Sequence, residues 1–106
     1  MATIDDFKKL ELIVAQIKEV KDHPNADRLY VLKVDTGKEE KQLVAGIRQN
    51  YTKEELVGRK AVIINNMEPA IIRGEKSEGM LLVAKDEKGL SLVSLDRVVE
   101  PGSGVS

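Results

Sequence analysis

Apolar side chains along this chain change their spacing several times, and each change marks an element. Thr3 followed by Asp6 has the spacing of a helix capping box, with Asp5 in the first turn and Lys8 and Lys9 closing it. That pattern predicts a short helix over residues 4–9, with Ile4 and Phe7 three positions apart on one side. From Leu10 to Val20 the apolar residues occupy both parities: Leu10, Leu12 and Val14 on one, Ile13, Ala15 and Ile17 on the other. A strand apolar on both faces is covered on both, so the first helix or another subunit is expected on its outer side. Residues 21–28 form a polar loop punctuated by Pro24 and Asn25. Leu29–Asp35 then alternates, with Tyr30, Leu32 and Val34 facing inward and Lys33 outward. Asp35-Thr36-Gly37 turns the chain through the charged tip Lys38–Lys41, and Gln42–Ala45 returns as a third strand.

The second half repeats these devices. Thr52 and Glu55 again have capping-box spacing and Gly58 sits where a helix ends, which predicts a short helix over residues 53–57. Lys60–Asn65 is a fourth strand built on Val62, Ile63 and Ile64. A long connection over residues 66–78 precedes a fifth strand at Gly79–Ala84. Leu90–Leu95 gives a further short strand after the turn at Lys88-Gly89, and residues 101–106 read as a loosely held tail. Three strands, a helix and two more strands is the order of an OB-type five-stranded Greek-key β-barrel. In that fold ligands meet the face of strands two and three and the loops after strands one and four. The fold class is therefore all-β, and 106 residues hold one such domain, spanning 1–106.

Composition narrows the chemistry. There is no cysteine, which excludes disulfides, thiolate zinc sites and cysteine nucleophiles. The acidic start and the absence of any apolar run near the roughly 20 residues needed to cross a bilayer predict a cytoplasmic protein with no membrane association. His23 is the single histidine and cannot anchor a zinc site without a second His or Cys; loop filler or a hydrogen-bonded turn residue is its expected role. No serine motif or Gly-rich phosphate loop accompanies it, so no enzyme, cofactor, metal or small-molecule substrate is expected. Net charge is −1, yet residues 28–60 carry eight basic and five acidic side chains, net +3, while each flank sums to −2. Such local asymmetry suffices for an anion-binding face.

The stretch 66–78 is long for a compact domain, and long ordered connections tend to be functional. Ile71 is expected to plug the barrel end. Arg73-Gly74 sets a guanidinium beside a residue free to take a positive φ, and Lys76 and Ser77 add an ammonium and a hydroxyl suited to phosphate or ribose. With only Phe7, Tyr30 and Tyr51 aromatic, stacking on single-stranded bases is poorly served. Structured RNA, held through backbone and 2′-hydroxyl groups, suits the composition better.

Four segments carry a family resemblance: His-Pro-Asn-Ala-Asp-Arg-Leu-Tyr (23–30), Val-Ala-Gly-Ile (44–47), Gly-Arg-Lys (58–60) and the run from Asn65 to Met80. Together they resemble the tRNA-binding domain family, which includes the C-terminal domain of methionyl-tRNA synthetases, free-standing tRNA-binding proteins and the cytokine domain of animal synthetase complexes. The resemblance implies an OB barrel that dimerises and grips the outer corner of tRNA with little sequence preference. Carried over, the tRNA-binding candidates are Asn25, Arg28, Lys33, Asn65, Asn66, Arg73, Lys76, Ser77 and Met80. Ile4, Phe7, Leu10 and Leu12 are the candidates for the homodimer interface. A methionyl-tRNA synthetase is the implied protein partner, with the chain acting free-standing or as its appended domain and raising its tRNA affinity. Secretion-related chaperones resemble the same domain and bind unfolded peptide, and a synthetase assembly module is a third reading. The first of these would display an apolar groove near residues 66–78; the second would leave function intact in Arg73→Ala.

Overall fold

The computed structural model describes all residues, Met1–Ser106. Two short helices, α1 (Ile4–Lys8) and α2 (Lys53–Leu56), punctuate nine strands: β1 (Leu12–Asp22), β2 (Tyr30–Asp35), β3 (Glu40–Ala45), β4 (Lys60–Ile64), β5 (Ala70–Ile72), β6 (Glu75–Ser77), β7 (Met80–Leu81), β8 (Val83–Asp86) and β9 (Gly89–Leu92). Both helices begin where the capping boxes predict. The Thr3 and Thr52 hydroxyls accept from the Asp6 and Glu55 amides at 3.2 Å, and those carboxylates accept from the two threonine amides. The bond from the Thr52 amide, reinforced by its hydroxyl, holds the Glu55 carboxyl below its ordinary value.

The strands form an antiparallel five-stranded sheet in the order β3-β2-β1-β4-β7. One long strand serves two neighbourhoods. The first half of β1 pairs with β4, from Leu12↔Ile64 to Gln16↔Lys60, and its second half pairs with β2, from Gln16↔Asp35 to Asp22↔Tyr30. The register slips between Ile17 and Glu19, and such a bulge bends and coils a strand enough to curl a sheet into a barrel. The barrel closes nearly fully where β3 meets residues 77–78. Here side chains stand in for a strand: Ser77 Oγ accepts from the Val44 amide at 3.0 Å and Glu78 Oε1 from the Gln42 amide at 3.1 Å. The Glu78 amide donates to the Gln42 carbonyl at 2.8 Å.

Inside lie Ile17, Leu32, Leu43, Ile47, Leu56 and Ile63, each fully buried. Leu56 comes from α2, so the helix between β3 and β4 closes one end of the barrel. Tyr30, Leu32 and Val34 belong to this core and Lys33 is exposed, as the alternation of β2 requires.

The structure departs from the pattern reading in four places. The last residues are not a loose tail: Gly102 donates to the Val14 carbonyl at 2.7 Å, Val14 to the Ser103 carbonyl at 2.9 Å, and Val105 to the Leu12 carbonyl at 2.8 Å. This strap lies against the β2–β3 turn. A Cβ on Gly37 would stand 2.6 Å from the Pro101 carbonyl oxygen, and one on Gly102 would stand 2.8 Å from that of Thr36. Second, Val14 and its register partner Val62 are buried outside the core cluster, bonded to the C-terminal segment at Val93 and Ser103. The outer face of β1 is thus covered by the chain's own end rather than by α1. Third, residues 66–78 contain a hairpin, β5–β6, instead of an irregular connection. Fourth, the expected strand at Gly79–Ala84 breaks at Leu82, whose amide donates to the Val62 carbonyl while its carbonyl accepts from Val93. Beyond the break, β8 and β9 pair only with each other. No helix is long and apolar enough to cross a membrane.

Candidate nucleic-acid interface

The loop after β1 and the β5–β6 hairpin are locked to each other. His23 is almost wholly buried. Its Nδ1 accepts from the Asn25 amide at 2.9 Å, which assigns the ring proton to Nε2, and Nε2 donates to the Ile72 carbonyl at 2.9 Å. Beside it Asn25 Nδ2 donates to the Arg73 carbonyl at 3.1 Å and Arg73 Nη2 to the Asn25 carbonyl at 3.3 Å. Two loops 48 residues apart in sequence thus share three hydrogen bonds. On the far side of the first loop Arg48 Nη1 reaches the Ala26 carbonyl at 3.4 Å, and Asp22 gathers Arg48 at 3.5 Å and Lys53 at 3.3 Å. The motif reading assigned His23 to a turn and overlooked Arg48; its one signal is that it follows the Val-Ala-Gly-Ile segment.

The hairpin turn explains the Arg-Gly pair. Ile72 and Glu75 are register partners, so only Arg73 and Gly74 turn the chain, and both have positive φ, 53° and 94°. A two-residue turn of this hand needs that backbone at both positions. Arg73 is the single non-glycine residue here with positive φ, a conformation that costs on the order of 1 kcal/mol or more, and the Asn25 amide on its carbonyl helps hold it. Ile71, expected inside, points to solvent instead, while Ile72 turns toward the body of the protein. A single step of strand parity separates the two.

Lys33 and Gln42 are register partners on the outward face of β2 and β3. Gln42 Nε2 donates to the Lys76 carbonyl at 2.9 Å, so the sheet face runs continuously into the hairpin. Lys33 lies 3.8 Å from Glu19, with both side chains about half exposed, a pair worth little in water. The Arg28 and Lys76 side chains are exposed and form no hydrogen bond or ion pair within the chain. Their charges are therefore available to an anion.

Three other candidates have structural partners. Ser77 is buried, its hydroxyl accepting from Val44 and donating to the Gly79 carbonyl at 3.1 Å. Asn66 Oδ1 accepts from the Glu11 amide and its Nδ2 donates to the Lys9 carbonyl, both at 2.7 Å, which ties the end of α1 to the barrel. Asn65 Nδ2 donates to Glu11 at 2.9 Å while Lys41 Nζ caps the Asn65 carbonyl at 3.0 Å. Asn65 and Asn66 thus sit beside α1, and Asn25, Arg73, Lys33 and Lys76 gather around the loop lock and the adjoining sheet face. Met80 is half exposed and lines an apolar cavity of about 310 Å³, whose walls also include Val44, Ile47, Met67 and Ile72. No group of three or more His, Asp or Glu side chains is arranged to hold a metal ion.

Comparison with known proteins places this geometry. Residues 12–104 match the family described as "Putative tRNA binding domain". The methionine–tRNA ligase of Thermococcus kodakarensis is 52% identical over 103 residues, covering 97% of this chain but 14% of the ligase; that of Thermotoga maritima is 44% identical over 104 residues, covering 98% and 16%. The chain thus spans about one seventh of the length of these relatives. Among solved structures, the MetRS-related protein of Pyrococcus horikoshii superposes with a TM-score of 0.92 at 32% identity, covering 100% of this chain and 98% of that one. The CsaA chaperone protein of Picrophilus torridus superposes at 0.94 with 35% identity, covering the whole of both chains. By sequence over nearly its whole length, and by fold, the chain belongs to the tRNA-binding domain family.

Proposed function

We propose that this chain is a non-catalytic, cytoplasmic binding module that holds folded tRNA by shape, either free-standing or attached to a methionyl-tRNA synthetase whose tRNA affinity it raises. The observation that carries the proposal is the lock between the two loops. It fixes Arg73 beside the first loop, while Arg28 on that loop, Lys33 on β2 and Lys76 on β6 keep exposed side chains. A preorganised set of cations recognises the spacing of phosphates along a folded backbone without reading bases. Asn65, Asn66 and Ser77 would act by holding the elements that carry this surface, and Met80 by flanking it.

The proposal is tested by titrating the protein against folded tRNA and against unstructured RNA of equal length. Folded tRNA should bind at least about tenfold more tightly, because a fixed cradle gains most from a fixed partner. Equal affinity for the two would refute recognition by shape.

The same reading includes a homodimer. Helix α1 buries none of its residues, and Ile4, Phe7 and Leu10 are exposed within seven positions, next to half-buried Leu12. Asn66 fixes this segment at Lys9 and Glu11, so it presents a defined apolar face. A second copy on a two-fold axis would cover it and double the cationic footprint. Light scattering at micromolar concentration should give twice the chain mass, and Phe7→Glu should halve it; a monomeric parent protein would exclude the dimer.

A chaperone-like reading has one observation in its favour, the apolar cavity at Met67 and Met80 together with the likeness to CsaA.

A further inference from the structure

We propose that Arg48 is a positioning residue of the RNA-binding surface: it holds the second half of the loop after β1 and so sets Arg28 for a phosphate. The inference rests on the tRNA reading and adds to it a residue that acts without touching the RNA.

The two halves of the loop between Asp22 and Tyr30 are held differently. Every hydrogen bond from the β5–β6 hairpin goes to the first half, at His23 and Asn25. Residues 26–28 receive hydrogen bonds from outside the loop through Arg48 alone. The Arg48 amide donates to the Arg28 carbonyl at 3.4 Å, and Nη1 donates to the Ala26 carbonyl at 3.4 Å. Nη2 lies 3.5 Å from Asp22 Oδ2, at the end of β1, where Lys53 Nζ joins the same oxygen at 3.3 Å. Each contact is long, so none fixes the loop by itself; together they reach its start, middle and end. The Ala26 carbonyl also accepts from the Leu29 amide at 3.3 Å, so Arg48 reinforces the turn the loop makes on its own.

Arg48 is itself well anchored. Its neighbour Ile47 is fully buried in the barrel core, and the Ile47 carbonyl accepts from the Asn50 and Tyr51 amides at 3.0 and 3.1 Å. The Tyr30 hydroxyl ties the Tyr51 carbonyl to β2 at 2.7 Å. A short turn fastened at both ends thus presents the guanidinium to the loop. Its planar fork lets two nitrogens reach a carbonyl and a carboxylate at once, which a lysine ammonium does less rigidly. The Arg48 side chain is 28% exposed and engaged at both terminal nitrogens, whereas the Arg28 side chain is exposed and unpaired. Arg48 therefore shapes the loop, and Arg28 is free for the anion.

The test is a double-mutant cycle read by tRNA affinity. Arg28→Ala should weaken binding about tenfold and Arg48→Ala about fivefold. Combined, they should cost little more than Arg28→Ala alone, because Arg48 acts through the residue already lost. Losses that multiply to about fiftyfold would overturn the proposal, since Arg48 would then contribute on its own. Arg48→Gln keeps an N–H donor for the Ala26 carbonyl without the charge; it should bind more tightly than Arg48→Ala and keep the parent's salt slope. A slope lower by about one would make Arg48 a phosphate contact instead. Circular dichroism confirms that the variants are folded, and the glutamine variant carries the cycle if the alanine variant is not. A readout without RNA completes the test. In Arg48→Ala the Leu29 amide should exchange its hydrogen about fivefold faster, while the Asn25 amide, bonded to His23, exchanges as in the parent. Unchanged exchange at Leu29 would overturn this proposal and leave tRNA binding by shape intact. A parent protein that binds no tRNA would overturn both readings.

Discussion

Raising monovalent salt from about 50 to about 200 mM should weaken tRNA binding by about two to three decades. In the proposed dimer, Arg28, Lys33, Arg73 and Lys76 of each copy are the candidate phosphate contacts, and use of about four to six of them would release a similar number of condensed counterions. The logarithm of the association constant then falls steeply and linearly with the logarithm of salt concentration. Arg73→Ala should weaken all tRNAs alike, by about 1–3 kcal/mol, and flatten the salt slope by about one. The uniformity matters as much as the size. A phosphate-directed cation carries no sequence information, so a loss confined to one tRNA would point to base reading at Arg73 instead. Filter binding across the salt series measures both slope and intercept, and a slope near zero would remove the electrostatic basis of the interface. Lys33 should have the smallest share, since Glu19 already lies 3.8 Å from its ammonium.

Replacing His23 with Ala should destabilise the fold by about 3 kcal/mol and weaken tRNA binding in the protein that remains folded. The ring is buried and satisfies two groups from different loops, the Asn25 amide and the Ile72 carbonyl. Truncation leaves both unpaired and opens a void, and each loss contributes on the order of 1–2 kcal/mol. The effect on binding has a separate cause. Without the pin, Asn25 and Arg73 have only each other to hold the two loops in register, and tRNA must then order them on binding. His23→Gln, which can offer an N–H and a carbonyl oxygen from one side chain, should recover part of both losses. Urea unfolding gives the stability and a titration above the folded threshold gives the affinity. A folded His23→Ala protein with unchanged tRNA affinity would show that the lock is structural only.

Much of this molecule is legible along the chain because the relevant physics is local. A capping box needs only a threonine and an acid three residues later, so both helices start where Thr3 and Thr52 announce them. Period-two alternation places Tyr30, Leu32 and Val34 in the core and Lys33 outside, since adjacent side chains on a strand must face opposite ways. Gly74 was readable as a residue free to take a positive φ, but not that it and Arg73 close a hairpin.

What the pattern missed depends on groups that every residue has, or on distances no pattern encodes. The C-terminal strap binds β1 through backbone amides and carbonyls, so Pro-Gly-Ser-Gly gives no apolar signal of its pairing. Ile71 and Ile72 look alike in composition, and only the register of the β5–β6 hairpin decides which one turns inward. Ser77 and Asn66 resemble ligand-facing residues until their partners, 33 and 55 residues away, are seen to claim them. Local pattern therefore accounts for the helices, the alternating strands and the family motif. Tertiary structure alone decided the lock from His23 to Ile72 and the apolar cavity beside Met80, because both arise from contacts between segments that local preference cannot bring together.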